Sequence, residues 1–530
     1  MNSTLRALNI ILGLIALLII FGLGYQTGKR YDIAVDENDK YVAISYSMNE
    51  QKMRRLMSLI DNHYVHDINT DSLVDKTIGF VMSNLDPHSV YLEKKISQTM
   101  DREIKGYYVG IGIQYVIYKD TIVITHVDKN TPNKNMFKLT DRVLQVGDSS
   151  VIGEAAQRVG NLIQGESNSK IPLKLLRKNE IIEVNATRSV IPRASVTETF
   201  MLNNHLGYVK VNRFGENTHS EFEDALKQLL KEGMTELVLD LRGNPGGIMS
   251  AAEKIADEFL TKDKLIVFTQ DNQGKKEFRY ATNRGLMDGQ PIYVLIDEGS
   301  ASASEIVAGA IQDNDAGIII GRRSYGKGLV QREISLGDGS KLRLTTAKYF
   351  TPTGRSIQKP YSNGTDEYNR DISARYFSGE VFNKDSIKIP DSLMFKTPKG
   401  RIVYGGGGII PDEFVSIDSL GRGRWYYEHV NQNVFNTRIF EYIENNHLSL
   451  EKIKEEHFIA FHNPSQLAEQ LLAELNLEPE QFSEMEFLNF KTFIKASMAR
   501  FLYGDSAYNK IWNQRDPMIS RAIQISEASK

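Results

Sequence analysis

Residues Gly299–Ile306, GSASASEI, set serines at positions 300, 302 and 304 ahead of a glutamate. A serine becomes a nucleophile only when a neighbouring base takes its proton. The flanking histidines are His219 and His429, so an imidazole would have to come from far along the chain. The motif also has a plain structural reading. Ser302-x-x-Glu305 is a capping box, in which both side chains satisfy N–H groups at a helix start. A neutral lysine is the other base known to serve a serine. Free lysine titrates near 10.4, so only a desolvated one, lowered towards about 7–8, works at neutral pH. Lys327, in SYGKGLVQ, stands between two glycines just past the apolar run AGIIIG. If the segment after it is extended, Gln331 projects from the same face and can hydrogen-bond the amine without charging it. The plain alternative is a solvated loop lysine.

Both the serines and a second glycine-rich stretch lie where strands enter helices. LVLDLRGNPGGIM and YVLIDEGSASASEI each run from an apolar strand through a tight turn into a helical pattern. Open α/β sheets collect their sites at such junctions. Gly246 and Gly247 allow backbone donors to approach a substrate, and N–H groups at the helix start by Ser302 favour a developing oxyanion. Two competing motifs fail. GRRSYGKG approximates a phosphate-binding loop, but a glycine replaces the Mg²⁺-binding Ser/Thr and a strand pattern follows. Ser167-x-x-Lys170 has a β-lactamase-type spacing but sits in a polar connection. No HExxH and no GxSxG occurs.

The elements that must position these residues follow from periodicity. Residues 31–100 read as helical with loops, including EQKMRRLMSLIDNHYV and DSLVDKTIGFVMSNL, the second broken by DPHS. Residues 101–192 read as a module of short strands around one helix, GEAAQRVGNLIQ. From 193 to 424 strand and helix alternate. LGYVKV, ELVLDLR, LIVFT, PIYVLID and AGIIIG are the strands expected to form a largely parallel sheet. ISLGDGSKLRLTTAKYF reads as a hairpin turning at Asp338-Gly339, and 359–400 as a polar, irregular insertion. Residues 425–530 are helical and charged, with PSQLAEQLLAELNL amphipathic.

The chain has 530 residues, too many for one core, so several domains are expected. A net charge of −3 gives no support to a nucleic-acid partner. With no cysteine, disulfides and thiolate metal sites are excluded. Residues 1–30 contain ALNIILGLIALLIIFGLGY, long enough as a helix, about 28 Å, to span a bilayer. The flanks offer no clear small-x-small cleavage site, so an uncleaved anchor is expected rather than a removed signal. Positive charges balance across it and leave its orientation open.

The chain resembles the carboxyl-terminal processing peptidases, or tail-specific proteases, from about residue 50 to 415. The resemblance rests on LDPHSVYL, GIGIQY, LDLRGNPGG, SASASEI, YGKGLVQ, LTTAKYFTPTGRSIQ and GGIIPD, in that order. It implies a mixed α/β serine-protease core of the ClpP/crotonase type, interrupted by a PDZ-like β-rich module. A helical N-terminal segment and a helical C-terminal extension flank that multidomain α/β body. It makes Ser302 the nucleophile, Lys327 the general base and Gln331 the residue that orients the lysine. Oxyanion donors map to Gly246, Gly247 and the N–H of Ala303, and no metal or cofactor is implied. The PDZ-like carboxylate loop maps to Val109, Gly110, Ile111, Gly112 and Ile113, so the partners implied are polypeptides with a free C-terminus. Where such modules carry Gly-Asp before RVLQV, this chain has Thr140-Asp141. The implied location is the cell envelope: bacterial inner membrane through the N-terminal helix, body in the periplasm, or secreted if the segment is cleaved. The C-terminal extension is expected to dock a second copy or an adaptor. The rival class is a membrane-tethered PDZ scaffold with an inactive core.

Overall fold

The computed structural model describes residues 31–35, 41–45, 47–417, 426, 434–450 and 452–528. The expected anchor, residues 7–25, lies outside them. Among the described residues no helix is long and apolar enough to cross a membrane.

The chain divides into two compact units, 1–84 and 85–530. In the first, Tyr31–Val35 pairs antiparallel with Tyr41–Ser45, and the helices Met48–His63 and Thr70–Ser83 follow. Ser47 and Glu50 form a capping box on the first helix, and Asn69 caps the second. The division at 84 falls inside the segment 31–100 expected to be helical. Residues from Leu85 onward join the larger unit because Val90–Leu92 pairs with Lys341–Phe350.

The core of the larger unit is a six-stranded sheet. Leu206–Val211, Glu236–Asp240, Ile292–Ile296 and Gly317–Gly321 run parallel in that order, with Val196–Met201 antiparallel at one edge and Glu413–Phe414 at the other. The two central strands are buried along their whole length, as strands covered on both faces must be. Alternation then sorts their side chains. Val209, Leu237, Leu239, Val294 and Ile319 face the helices Thr218–Lys231, Met249–Asp257 and Ala303–Asp313. Leu206, Tyr208, Val238, Tyr293, Leu295 and Ile320 face Met518, Ile519 and Ala522 of the last helix, Pro517–Ala528.

LIVFT does not enter the parallel sheet. Leu265–Asp271 lies in a separate antiparallel sheet with Lys276–Tyr280, Lys341–Phe350 and Leu329–Ser335. An apolar run of this length fits either environment, and only its partners decide. The expected hairpin at Asp338-Gly339 belongs to this second sheet. The polar stretch 359–400 is not irregular throughout: Thr365–Phe377 is a helix. Its inward face carries Tyr368 and Arg375, with Asp371 pairing Arg375 at 2.8 Å. A helix that buries polar side chains gives no apolar stripe to read.

Residues 107–192 form the β-rich module. Five antiparallel strands stand in the order Glu180–Thr187, Lys170–Arg177, Arg142–Val146, Thr121–Val127, Ile113–Tyr118, with the helix Ala156–Ile163 packed on one face. Tyr107–Gly110 pairs with Ser189–Pro192, so the chain enters and leaves through a two-stranded neck. The turn before Arg142 keeps a glycine-type backbone although it has no glycine. Thr140 sits at φ 71°, and Arg177 locks the buried Asp141 with hydrogen bonds of 2.7 and 2.6 Å.

The C-terminal helices are not a detached appendage. Phe440, Ile443, Phe490 and Phe501 pack with Tyr118 and Val123 on the outer face of the module. The last helix closes the back of the core sheet.

Candidate active site

The three alternate serines have different fates. Ser300 Oγ donates to Leu241 O at 2.8 Å, and Ser304 Oγ donates to Asn244 O at 2.9 Å. Both are therefore occupied in stitching the serine turn to the LRGNPGG turn, helped by Ala301 N–H on Asn244 O at 3.0 Å. Ser302 stands between them as the residue preceding the helix Ala303–Asp313, at φ 54° and ψ −111°. A side chain other than glycine is rarely held there, at a cost on the order of 1–3 kcal/mol, and such strain concentrates at functional sites. The capping box is also real. Glu305 turns back to accept Ser302 N–H at 2.8 Å.

Glu305 does more than cap. Its fully buried carboxylate also accepts Lys327 N–H at 2.9 Å, Gly326 N–H at 2.7 Å and Ser324 Oγ at 2.5 Å. Burial raises its pKa, against the pull of these donors. One oxygen, Oε2, thus holds the backbone N–H groups of both Ser302 and Lys327. Tyr349 Oη completes a second clamp, its single proton shared between Lys327 O at 2.7 Å and Ser302 O at 3.1 Å. Two segments 25 positions apart are joined through both donors and acceptors.

Lys327 is half-buried, with no ion pair to any described residue. Its pKa falls to about 8, first through burial and then through the charge of Arg343, while Glu305 and Asp86 act the other way. This is the property a neutral amine base requires. Gln331 is not bonded to Lys327. Its Nε2 donates to Thr345 Oγ1 at 3.2 Å, and a bulge between Val330 and Gln331 breaks the simple alternation expected of the strand.

Of the three expected oxyanion donors, Gly246 drops out. Its N–H donates to Asn244 Oδ1 at 2.9 Å. Its contribution is space: a Cβ there would lie 2.8 Å from Ser302 Cβ and 2.9 Å from Ala303 N. Among the described residues, no protein acceptor takes the N–H of Gly247 or of Ala303.

Several positions escaped sequence reasoning. LDPHSVYL carries Asp86 and His88 to the lysine's surroundings. His88 Nε2 lies 2.7 Å from Tyr368 Oη, and burial, followed by the Lys327 charge, lowers its pKa to about 4. A histidine from far upstream therefore lines the site, although neutral and poorly basic. In the insertion, Lys359 Nζ lies 4.0 Å from the centre of the Tyr325 ring and 4.2 Å from that of Tyr368. Arg375 donates to the carbonyls of Ser324 and Tyr325, holding the lysine loop. FTPTGRSIQ clamps the far end of the serine helix, with Arg355 buried on Asp313 at 2.6 Å. GGIIPD ties Ile409 N–H to Ser324 Oγ at 2.6 Å. The rejected Ser167-x-x-Lys170 lies in a turn leading into the strand Lys170–Arg177, second from the edge of the module's sheet.

In the module, Val109 and Gly110 belong to the neck strand, so the loop proper is Ile111–Gly112. Gly112, at φ 76°, leaves no room for a side chain, since a Cβ would fall 2.1 Å from Thr131 Cγ2. The N–H groups of Ile111 and Gly112 have no acceptor among the described residues. Ile113 opens the outermost strand of the sheet.

A model of peptidase family S41 matches residues 205–366. The carboxy-terminal processing protease CtpB of Bacillus subtilis is 32% identical over 314 residues, covering 58% of this chain and 65% of that protein. The carboxy-terminal-processing protease of Bartonella bacilliformis is 34% identical over 307 residues, covering 56% of this chain and 70% of that protein. The chain thus spans about two thirds of the length of these relatives. Among solved structures, a photosystem II D1 C-terminal processing protease aligns with 76% of this chain and 94% of its own. At 23% identity and a TM-score of 0.38, that overlap carries no further argument.

Proposed function

The chain belongs to the carboxy-terminal processing proteases, and on that premise we propose that it is a serine endopeptidase working through Ser302 and Lys327. Neutral Lys327 takes the proton of Ser302 Oγ as the oxygen attacks the scissile carbonyl carbon. The oxyanion rests on the N–H groups of Gly247 and Ala303. Collapse breaks the C–N bond, and the leaving amine takes the proton from the Lys327 ammonium. Water, deprotonated by the same amine, then releases the acyl group and restores Ser302. The observation that carries this reading is the double clamp. Glu305 and Tyr349 hold the backbones of Ser302 and Lys327 together by both N–H and C=O, beside a lysine whose pKa burial has lowered.

Substrates would be polypeptides whose free C-terminus adds as a strand along Ile113–Tyr118, with its carboxylate on the N–H groups of Ile111 and Gly112. The test uses an unstructured polypeptide with an apolar C-terminus. Wild type should cleave it, with kcat/KM rising through about pH 8 as Lys327 loses its proton. Ser302→Ala and Lys327→Ala should lose at least about 10³-fold. Amidating the substrate's terminus should raise KM. Cleavage retained by Lys327→Ala at neutral pH would reject the base. Tail binding without cleavage at any pH would favour the scaffold.

A further inference from the structure

We propose that Asp86 is a positioning residue that, through Thr345, sets which end of the Gln331 amide is offered to Lys327. The proposal rests on the Ser302–Lys327 reading. Its starting point is a hydrogen-bond chain of fixed polarity. Asp86 Oδ1 accepts the N–H groups of His88 at 2.9 Å and Ser89 at 3.1 Å, and Oδ2 accepts Ser89 Oγ at 2.5 Å. A carboxylate only accepts, so the contact with Thr345 Oγ1 at 3.1 Å takes the single proton of that hydroxyl. Thr345 then has only a lone pair left for Gln331, which meets it with Nε2 at 3.2 Å. The amide is thereby oriented: its NH₂ group is taken by Thr345, and Oε1 is left as the acceptor. A reversed amide would offer donors to an amine that must stay able to accept a proton.

The strands make this chain a property of register. Gln331 and Thr345 are cross-strand partners, and Val90 pairs with Arg343 two positions before Thr345. Ser89 Oγ accepts Thr345 N–H at 3.0 Å, which fixes the upstream segment against the same residue. Asp86 thus arrives from beyond the β-rich module, more than 240 positions before Gln331 (331 − 86 = 245), to act on the residue next to the dyad.

The experiment measures kcat, KM and the pH profile of the full chain, with thermal melts as a check on folding. Thr345→Val removes the relay while keeping Asp86 and its turn, and Thr345→Ser restores the hydroxyl. Asp86→Asn keeps an acceptor for the turn but can donate to Thr345, which allows the chain to reverse. Thr345→Val and Asp86→Asn should each lower kcat about 10-fold with KM nearly unchanged, and Thr345→Ser should recover most of it. The charged and titratable groups around Lys327 are Arg343, Glu305, Asp86 and His88. Removing the Asp86 charge therefore moves the acid limb of kcat/KM to lower pH, whereas Thr345→Val leaves it in place. Wild-type kcat in Thr345→Val, or no recovery in Thr345→Ser, overturns the relay. Should Asp86→Asn fail to fold, the two Thr345 variants still decide. Cleavage by Lys327→Ala in the same assay would instead remove the dyad, which separates the two failures.

Discussion

Tyr349 ties the Ser302 turn to the Lys327 loop. Its hydroxyl reaches the carbonyls of both Ser302 and Lys327, and its burial holds its pKa well above the usual tyrosine value, so it stays a donor. Tyr349→Phe keeps the ring in the core and removes only that link. A stability loss of about 1 kcal/mol is expected, read as a small drop in Tm, together with a fall in kcat of about 10-fold or more. Equal activity in the phenylalanine variant would mean that Glu305 alone suffices to hold the two segments. At this scale residue type made Ser302 and Lys327 candidates, and only the resemblance of the surrounding motifs singled them out. It erred on Gly246, because the side chain of Asn244, two positions away, takes that N–H. It missed Asp86 and Tyr349, whose roles depend on partners 22 or more positions distant in the chain.

Elements explain how the neighbouring motifs serve the site. The helix Ala303–Asp313 is fixed at its start by Glu305 and at its end by Arg355 on Asp313, so the strained turn at Ser302 is held from both sides. The sequence identified this helix and the parallel strands before it from short apolar runs alternating with longer helical segments, and the helix and the two central strands are buried along their whole length. It failed for Thr365–Phe377, whose inner face is polar, and for Leu265–Asp271, whose apolar run suits either sheet. In the β-rich module the Thr140-Asp141 turn carries a testable cost. A β-branched residue at φ 71° is strained by roughly 1–2 kcal/mol. Thr140→Gly should stabilise the protein by about 1 kcal/mol, seen as a raised denaturation midpoint with unchanged slope. A lowered midpoint would show that the packing of the threonine outweighs its backbone strain.

Within the larger unit the C-terminal helices join the module and the core. They cover Tyr118 and Val123 of the module and the back of the central sheet. The tie to the core is ionic as well as apolar. Arg242, at the glycine turn beside Ser302, bonds Asp516 at 2.6 Å and the buried Asp240 at 2.6 Å. Burial alone would raise the Asp240 pKa, but Arg242 and Lys210 more than offset it and hold it low. Arg242→Met removes the guanidinium from both carboxylates, leaving Lys210, at 3.7 Å, as the cation on the fully buried Asp240, and should cost about 3–5 kcal/mol. Hydrogen exchange should rise first in Pro517–Ala528. Protection there equal to wild type would mean that Met518, Ile519 and Ala522 suffice to seat the helix.

By itself the sequence determined the order of modules, the alternation of strand and helix in the core, and Ser302 and Lys327 as candidates, because segment order, element type and motif order are all written along the chain. The tertiary structure decided which N–H groups remain unbonded, where the upstream LDPHSVYL segment lands, and that the C-terminal helices close the core. Those depend on which distant side chain claims each donor and each apolar face, and no local pattern carries that competition.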